Sequence, residues 1–138
     1  MVRLRVGTPE GWFRGLADSS SRDGPQPRHV DLDAVIDTGA MVSAIPATVL
    51  EALGCPAFGA VSFQSVIGPH DTGSQVVGSY AARLTLPGLI DLKWVQVLGV
   101  QLDTALLGMD VLEHLVLELD GPGETFTLRR PAATETTP

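Results

Sequence analysis

Fifteen glycines and ten prolines punctuate this chain, and short apolar runs lie between them. A helix bundle needs long stretches of 3.6-residue periodicity without such breaks. Short runs of period two, bounded by turn residues, make strands. The punctuation therefore predicts many strands joined by turns. With 138 residues the chain holds one domain, long enough for a real core and too short for two comfortable ones. Hydrophobic residues at 44% and charged residues at 18% place it among globular rather than disordered chains.

The pattern can be followed run by run. Val2, Leu4 and Val6 alternate with Arg3 and Arg5, which predicts a strand with one wet face. "GWFRGLA" (11–17) is placed as its pairing partner, and "DSSSRDGPQP" (18–27) as a mobile surface loop. In "RHVDLDAVI" (28–36), Val30, Leu32, Ala34 and Ile36 share one face, with Asp31 and Asp33 on the wet side. "PATVLEALG" (46–54) is a short helix with Pro46 at its first position and Gly54 after its last turn. Strands follow at 60–67, 74–86 and 91–100, with "GPHDTG" (68–73) as a hairpin tip. "TALLG" (104–108) is apolar, "MDVLEHL" (109–115) reads as a second short helix, and 115–128 as a hairpin turning at 120–123. The domain is placed at 1–129, with 130–138 as a disordered tail.

Charge and cysteine content narrow the function classes. Nine basic against sixteen acidic residues give a net charge of -7 with no basic stripe, which disfavours nucleic-acid binding. Cys55 is the only cysteine, so no intrachain disulfide forms and a reducing compartment is tolerated. The first residues, "MVRLRVGTPEG", lack the apolar stretch of about ten residues in a secretory leader. No run approaches the roughly 20 apolar residues of a membrane span. A cytoplasmic protein with no membrane partner is the expectation.

Two copies of one triplet concentrate the chemistry: Asp37-Thr38-Gly39 and Asp71-Thr72-Gly73. Taken alone, each is ordinary turn chemistry, an Asp accepting from the amide two residues on. The first has more around it. A half-buried strand runs into Asp37, and Gly39, Ala40 and an apolar run containing Ser43 follow. The helix comes next, and much later the apolar pair Leu106-Leu107 before Gly108.

In that order, "VIDTGAMVSAI", the helix, a Gly-tipped hairpin and "ALLGMDVLEHL" resemble the retropepsin-like aspartic proteases over about residues 28–128. The resemblance implies an all-β acid-protease (retropepsin-like) closed barrel with one or two short helices, one lobe per chain. It implies an aspartic endopeptidase active as a two-fold homodimer, each subunit giving one Asp37. Two carboxylates so close share one proton. The ionised one takes a proton from a water while the neutral one hydrogen-bonds the scissile carbonyl. That chemistry calls for no metal and no cofactor. Thr38 would exchange hydrogen bonds across the axis, and Gly39 would let the backbone approach the carboxylate, beside Ala40. Ser43 would hydrogen-bond within the loop, with Leu106 and Leu107 packed behind it and Gly108 allowing close passage.

The second triplet is not the missing partner. Too few residues separate Asp37 from Asp71 for a second lobe, and Gly68-Pro69-His70, not an apolar strand, leads into it. By resemblance it lies in the flap that closes over an extended peptide, with Val66, Ile67, Gly68, His70, Asp71 and Gly73 as flap residues. His29, His70 and His114 have no metal-site spacing. Asp110 and Glu113 read as solvated helix residues, and Trp12, Trp94 and Tyr80 as core or cleft wall. Two other readings use the same residues: a catalytically silent dimeric module that binds extended peptides, and a monomeric barrel with a coincidental triplet.

Overall fold

The computed structural model describes residues 1–9, 28–66 and 72–132. Strand β1 (Val2–Gly7) pairs antiparallel with β2 (His29–Ile36). Alternation sends Leu4 and Val6 inside, where both are fully buried, and Arg3 and Arg5 outside. Each arginine meets its cross-strand aspartate, Arg3 with Asp33 at 3.2 Å and Arg5 with Asp31 at 2.9 Å. Exposed pairs of this kind are worth about 0.2–1 kcal/mol each. A one-residue slip would break both, so they help fix the register.

After β2 a turn at residues 37–40 leads to β3 (Ala44–Pro46) and helix α1 (Ala47–Leu53). The helix buries Leu50 and Leu53 and ends at Gly54, whose φ of 71° is the left-handed conformation glycine adopts cheaply. The Gly54 and Cys55 amides there donate to the carbonyls of Glu51 and Leu50. Next come β4 (Ala57–Val66), β5 (Thr72–Leu86), β6 (Ile90–Val100), β7 (Ala105–Leu107) and the single turn α2 (Met109–Leu112). A final ribbon pairs β8 (Val116–Asp120) with β9 (Thr125–Arg129).

The strand order β1-β2-β7-β3-β6-β5, closed by pairing of β5 back onto β1, makes a six-stranded barrel. β7 runs parallel to β2, and β3 parallel to β6, so both strands that flank the 37–43 loop sit against β7. β4 lies outside the ring and pairs antiparallel with the long β5. Leu4, Val6, Ile45, Leu84, Val97, Leu107 and Val111 fill the interior. Each is worth about 1.5–3 kcal/mol relative to exposure. Among the described residues this is an all-β closed barrel with two short helices, as the sequence implied.

Some boundaries differ from the sequence reading. Pro46 ends β3 and caps α1, and the helix itself starts at Ala47. The predicted second helix at 109–115 is one turn, 109–112, because Glu113 to Leu115 leave the helix for β8. Trp94 is neither core nor paired with the interior: it is about half exposed, its ring 6.2 Å from that of Phe58. Tyr80 is half-buried, lying across the glycines of β5 and β6. The strand placed at 11–17 with Trp12, the loop at 18–27 and the tail from 133 lie outside the described residues. No helix among the described residues is long and apolar enough to cross a membrane.

Two consequences can be measured. A Cβ at position 99 would stand 2.5 Å from Tyr80 Cε1. Gly99→Ala is therefore expected to push the ring aside at a cost of about 1–3 kcal/mol, read as a lower midpoint in urea unfolding. Gly99→Ala with Tyr80→Ala should relieve the clash, and a single variant as stable as wild type would refute the close approach. Cys55 is buried, its thiol 3.8 Å from the Gly7 carbonyl, and burial pushes it from 9.0 up to about 11. The folded state thus holds the neutral thiol more tightly. Its contribution is whole below about pH 9 and drains away as the pH rises towards 11. Native chain at pH 8 should react with a disulfide reagent at least ~100-fold more slowly than chain in denaturant.

Candidate active site

The loop that carries Asp37 is stapled to the segment after β7. The Asp37 amide donates to the Leu107 carbonyl at 2.9 Å, continuing the parallel β2–β7 ladder by one rung. Met109 and Asp110 amides donate to the carbonyls of Ala40 and Met41 at 2.8 and 3.2 Å. Three backbone bonds thus hold residues 37–41 against residues 107–110. Gly108 makes this possible by its lack of a side chain: a Cβ there would lie 2.8 Å from the Ala40 carbonyl oxygen and 3.0 Å from that of Val42.

Within the loop, the Gly39 amide donates to Asp37 Oδ1 at 3.1 Å, and the Ala40 amide to the Asp37 carbonyl at 3.2 Å. The side-chain bond fixes the orientation of the carboxylate, which is half-buried at the edge of the barrel. Thr38 and Gly39 are exposed beside it, and Ala40 is half-buried. An orientable acid on a rigid turn, open to solvent, can act as general acid or base.

Beneath the loop lies a buried polar knot. Ser43 is fully buried. Its hydroxyl donates to Asp110 Oδ1 at 2.6 Å and accepts from the Gly108 amide at 2.9 Å. Its own amide donates to Asp110 Oδ2 at 2.9 Å, and Val111 N–H reaches Asp110 Oδ1. The structure corrects two expectations here. Ser43 bonds across to the Leu106-Leu107-Gly108 segment instead of within its own loop. Asp110 is a partly buried clamp between the two segments and not a solvated helix residue. The sequence signals only that Ser43, inside the apolar run Val42-Ala44-Ile45, must find some partner once buried; it does not name Asp110. Leu107 packs wholly in the core, while Leu106 is half-buried opposite Val35 of β2 and Ala44 of β3.

Of the predicted flap residues, Val66 lies in β4 and Gly73 in β5. Val66 pairs with Thr72 and Ser65 with Gly73, so Thr72 and Gly73, placed in the hairpin tip by the sequence, lie in strand β5. Ile67, Gly68, His70 and Asp71 lie outside the described residues. Among the described residues, no group of His, Cys, Asp and Glu is arranged to hold a metal ion.

No family model and no curated protein matches the sequence. Among solved structures, the chain is similar to EIAV protease complexed with the inhibitor HBY-793. The match has 19% identity and a TM-score of 0.42, and covers 60% of this chain and 75% of that one. The chemistry rests on this chain's own residues.

Proposed function

We propose that the chain is an aspartic endopeptidase, its catalytic unit spanning residues 1–129, that works as a two-fold homodimer. The observation that carries this reading is the stapled turn: Asp37 sits half-exposed, with Oδ1 fixed by Gly39 and the backbone pinned to Leu107. A lone turn aspartate has no need of such a mount. A catalytic carboxylate does, because a misplacement of about 1 Å can cost on the order of a hundredfold in rate.

In the pair, Asp37 of each subunit flanks one water, and the two carboxyl groups share one proton. The ionised group takes a proton from the water as its oxygen bonds the scissile carbonyl carbon, and the protonated group donates to the carbonyl oxygen. The tetrahedral species then breaks at its C–N bond, a proton passing to the leaving nitrogen. Water is consumed, and an acid and an amine are released. Thr38 braces the two loops across the axis. An extended peptide lies between the loops and the flap, walled by Val66, Ile67, Gly68, Gly39 and Ala40, its backbone pairing as an added strand. His70, Asp71 and Gly73 belong to the closing flap. A reducing cytoplasm suits a chain whose one cysteine is buried.

The test is incubation of wild type and Asp37→Asn with a mixed peptide library at several pH values. New termini from wild type and none from the variant support the proposal. Equal product from both, or from neither, overturns it.

A further inference from the structure

Strands β2, β1, β5 and β6 lie side by side in the barrel wall, and their outward residues form a grid. One row across it reads Asp31, Arg5, Thr85, Asp91, and the next reads His29, Gly7, Arg83. Gly7 carries no side chain, so it floors a notch between an imidazole and a guanidinium. A Cβ there would lie 3.1 Å from the Arg28 carbonyl oxygen and 3.6 and 4.0 Å from the Cβ atoms of His29 and Arg83. Neighbouring strands are about 4.8 Å apart, so the backbones of His29 and Arg83 stand roughly 10 Å apart across the notch. The pocket around it has a volume of about 310 Å³, and Arg5, Thr8, Arg28 and Asp91 line it too.

Two features of this pocket call for an anion. The first is charge. The chain has a net charge of -7, yet three of its nine basic residues converge here. Arg5 is held by Asp31 and Arg83 by Asp91, each through Nε at 2.9 Å, which fixes two guanidinium planes. Among the described residues the Arg28 guanidinium forms no ion pair. Three guanidiniums against two carboxylates leave one positive charge, and His29 adds a second when it binds a proton. The second feature is Thr8, whose amide donates to the Arg28 carbonyl at 3.3 Å. It is only 5% exposed, and its hydroxyl has no hydrogen-bond partner among the described residues. A buried hydroxyl ordinarily has one.

We propose that this pocket binds a small phosphate monoester, its phosphate seated over Gly7 between His29 and Arg83. A phosphate group carries about -1.5 to -2 charges at pH 7, which matches the surplus of Arg28 and a protonated His29. A carboxylate would match only half of it. Guanidiniums hold phosphate oxygens through paired N–H donors, and Thr8 offers a hydroxyl donor. Size favours the ester over the bare ion. At about 30 Å³ for each water, the pocket has room for roughly ten waters, so an organic group fits beside the phosphate. His29 opens β2 and Asp37 follows its end, roughly 25 Å further along at about 3.3 Å per residue. The phosphate pocket therefore stands whatever Asp37 does.

The experiment is isothermal titration calorimetry of the full chain with phenyl phosphate, inorganic phosphate and benzoate at fixed ionic strength. Phenyl phosphate is expected to bind saturably, one per chain, and at least ~10-fold more tightly than benzoate, which presents the same ring on a carboxylate. Inorganic phosphate should bind more weakly than the ester. Arg28→Gln and Thr8→Val should each weaken phenyl phosphate at least ~10-fold, the loss expected for one hydrogen bond to a charged group. Both should stay folded, checked by thermal unfolding, because Arg28 is exposed and valine keeps the shape of threonine. Arg129→Gln, on the β8–β9 ribbon outside the pocket, removes the same charge and should leave the affinity within ~2-fold. No saturable binding of phenyl phosphate overturns the proposal. Equal losses in Arg28→Gln and Arg129→Gln would mean diffuse attraction of anions and overturn it as well. Inorganic phosphate or benzoate binding as tightly as phenyl phosphate overturns the choice of a phosphate monoester.

Discussion

Asp37→Asn is expected to lower peptide hydrolysis by at least ~10³-fold while leaving the thermal midpoint within a few degrees of wild type. The size follows from the role: an asparagine pair can neither take the proton from the water nor hand one on, and positioned acid–base catalysis contributes about 10²–10⁴-fold. The small stability change follows from the geometry. Asparagine keeps an oxygen for the Gly39 amide, and the backbone bond to Leu107 does not involve the side chain. Mixing separates a paired site from a single-chain one. When wild type and Asp37→Asn are combined in equal amounts and allowed to exchange, about a quarter of two-fold dimers carry both aspartates. Hydrolysis should therefore fall to about a quarter, following the square of the wild-type fraction. A fall to one half, linear in that fraction, would mean that each chain works alone.

Asp110→Ala should be the most damaging substitution outside the reacting groups. It removes the acceptor of both the Ser43 amide and the Ser43 hydroxyl, and Ser43 is fully buried. Each donor stranded away from water costs about 1–3 kcal/mol, so a loss of roughly 3–4 kcal/mol is expected, or ~10–15 °C in thermal midpoint. Activity should fall by more than the unfolded fraction explains, because the clamp holds the Asp37 loop to residues 107–110. Asp110→Asn, which keeps one acceptor, should lie between. Ser43→Ala removes the hydroxyl that links Asp110 to Gly108. In a double-mutant cycle the two should therefore be strongly non-additive. Additive losses would show that the knot does not act as a unit, and unchanged activity in folded Asp110→Ala would show that the loop needs no clamp.

The two positions differ in how far they could be read from sequence. The turn that carries Asp37 was legible because its signals are local: an alternating apolar strand, a turn triplet, then another apolar run. The β1–β2 strands were legible for the same reason, since Leu4, Val6, Ala34 and the outward charges follow period two without help from the rest of the chain. Asp110 was not. Beside Met109, at the start of what reads as a seven-residue helix, an aspartate is most simply solvated. Only the crossing of β3 over the end of β7 turns it towards Ser43, 67 residues away. Trp94 was left open between core and cleft wall, and tertiary structure removes the core option: it is about half exposed, with its ring near that of Phe58. Strand alternation says that a face exists and not which one the barrel encloses.

What this sequence determined by itself is therefore what short-range physics decides. Turn residues and period-two runs set an all-β chain, Gly54 stops its one real helix, and strand–Asp-Thr-Gly–strand marks the turn that bears the candidate acid. Tertiary structure decided what depends on meetings between distant segments. These are closure of β5 on β1, the seating of Gly108 where no Cβ would fit, the Ser43–Asp110 clamp and the pocket over Gly7. Such meetings turn on three-dimensional packing at ångström scale, where one side chain too many forbids a contact. No local periodicity encodes that.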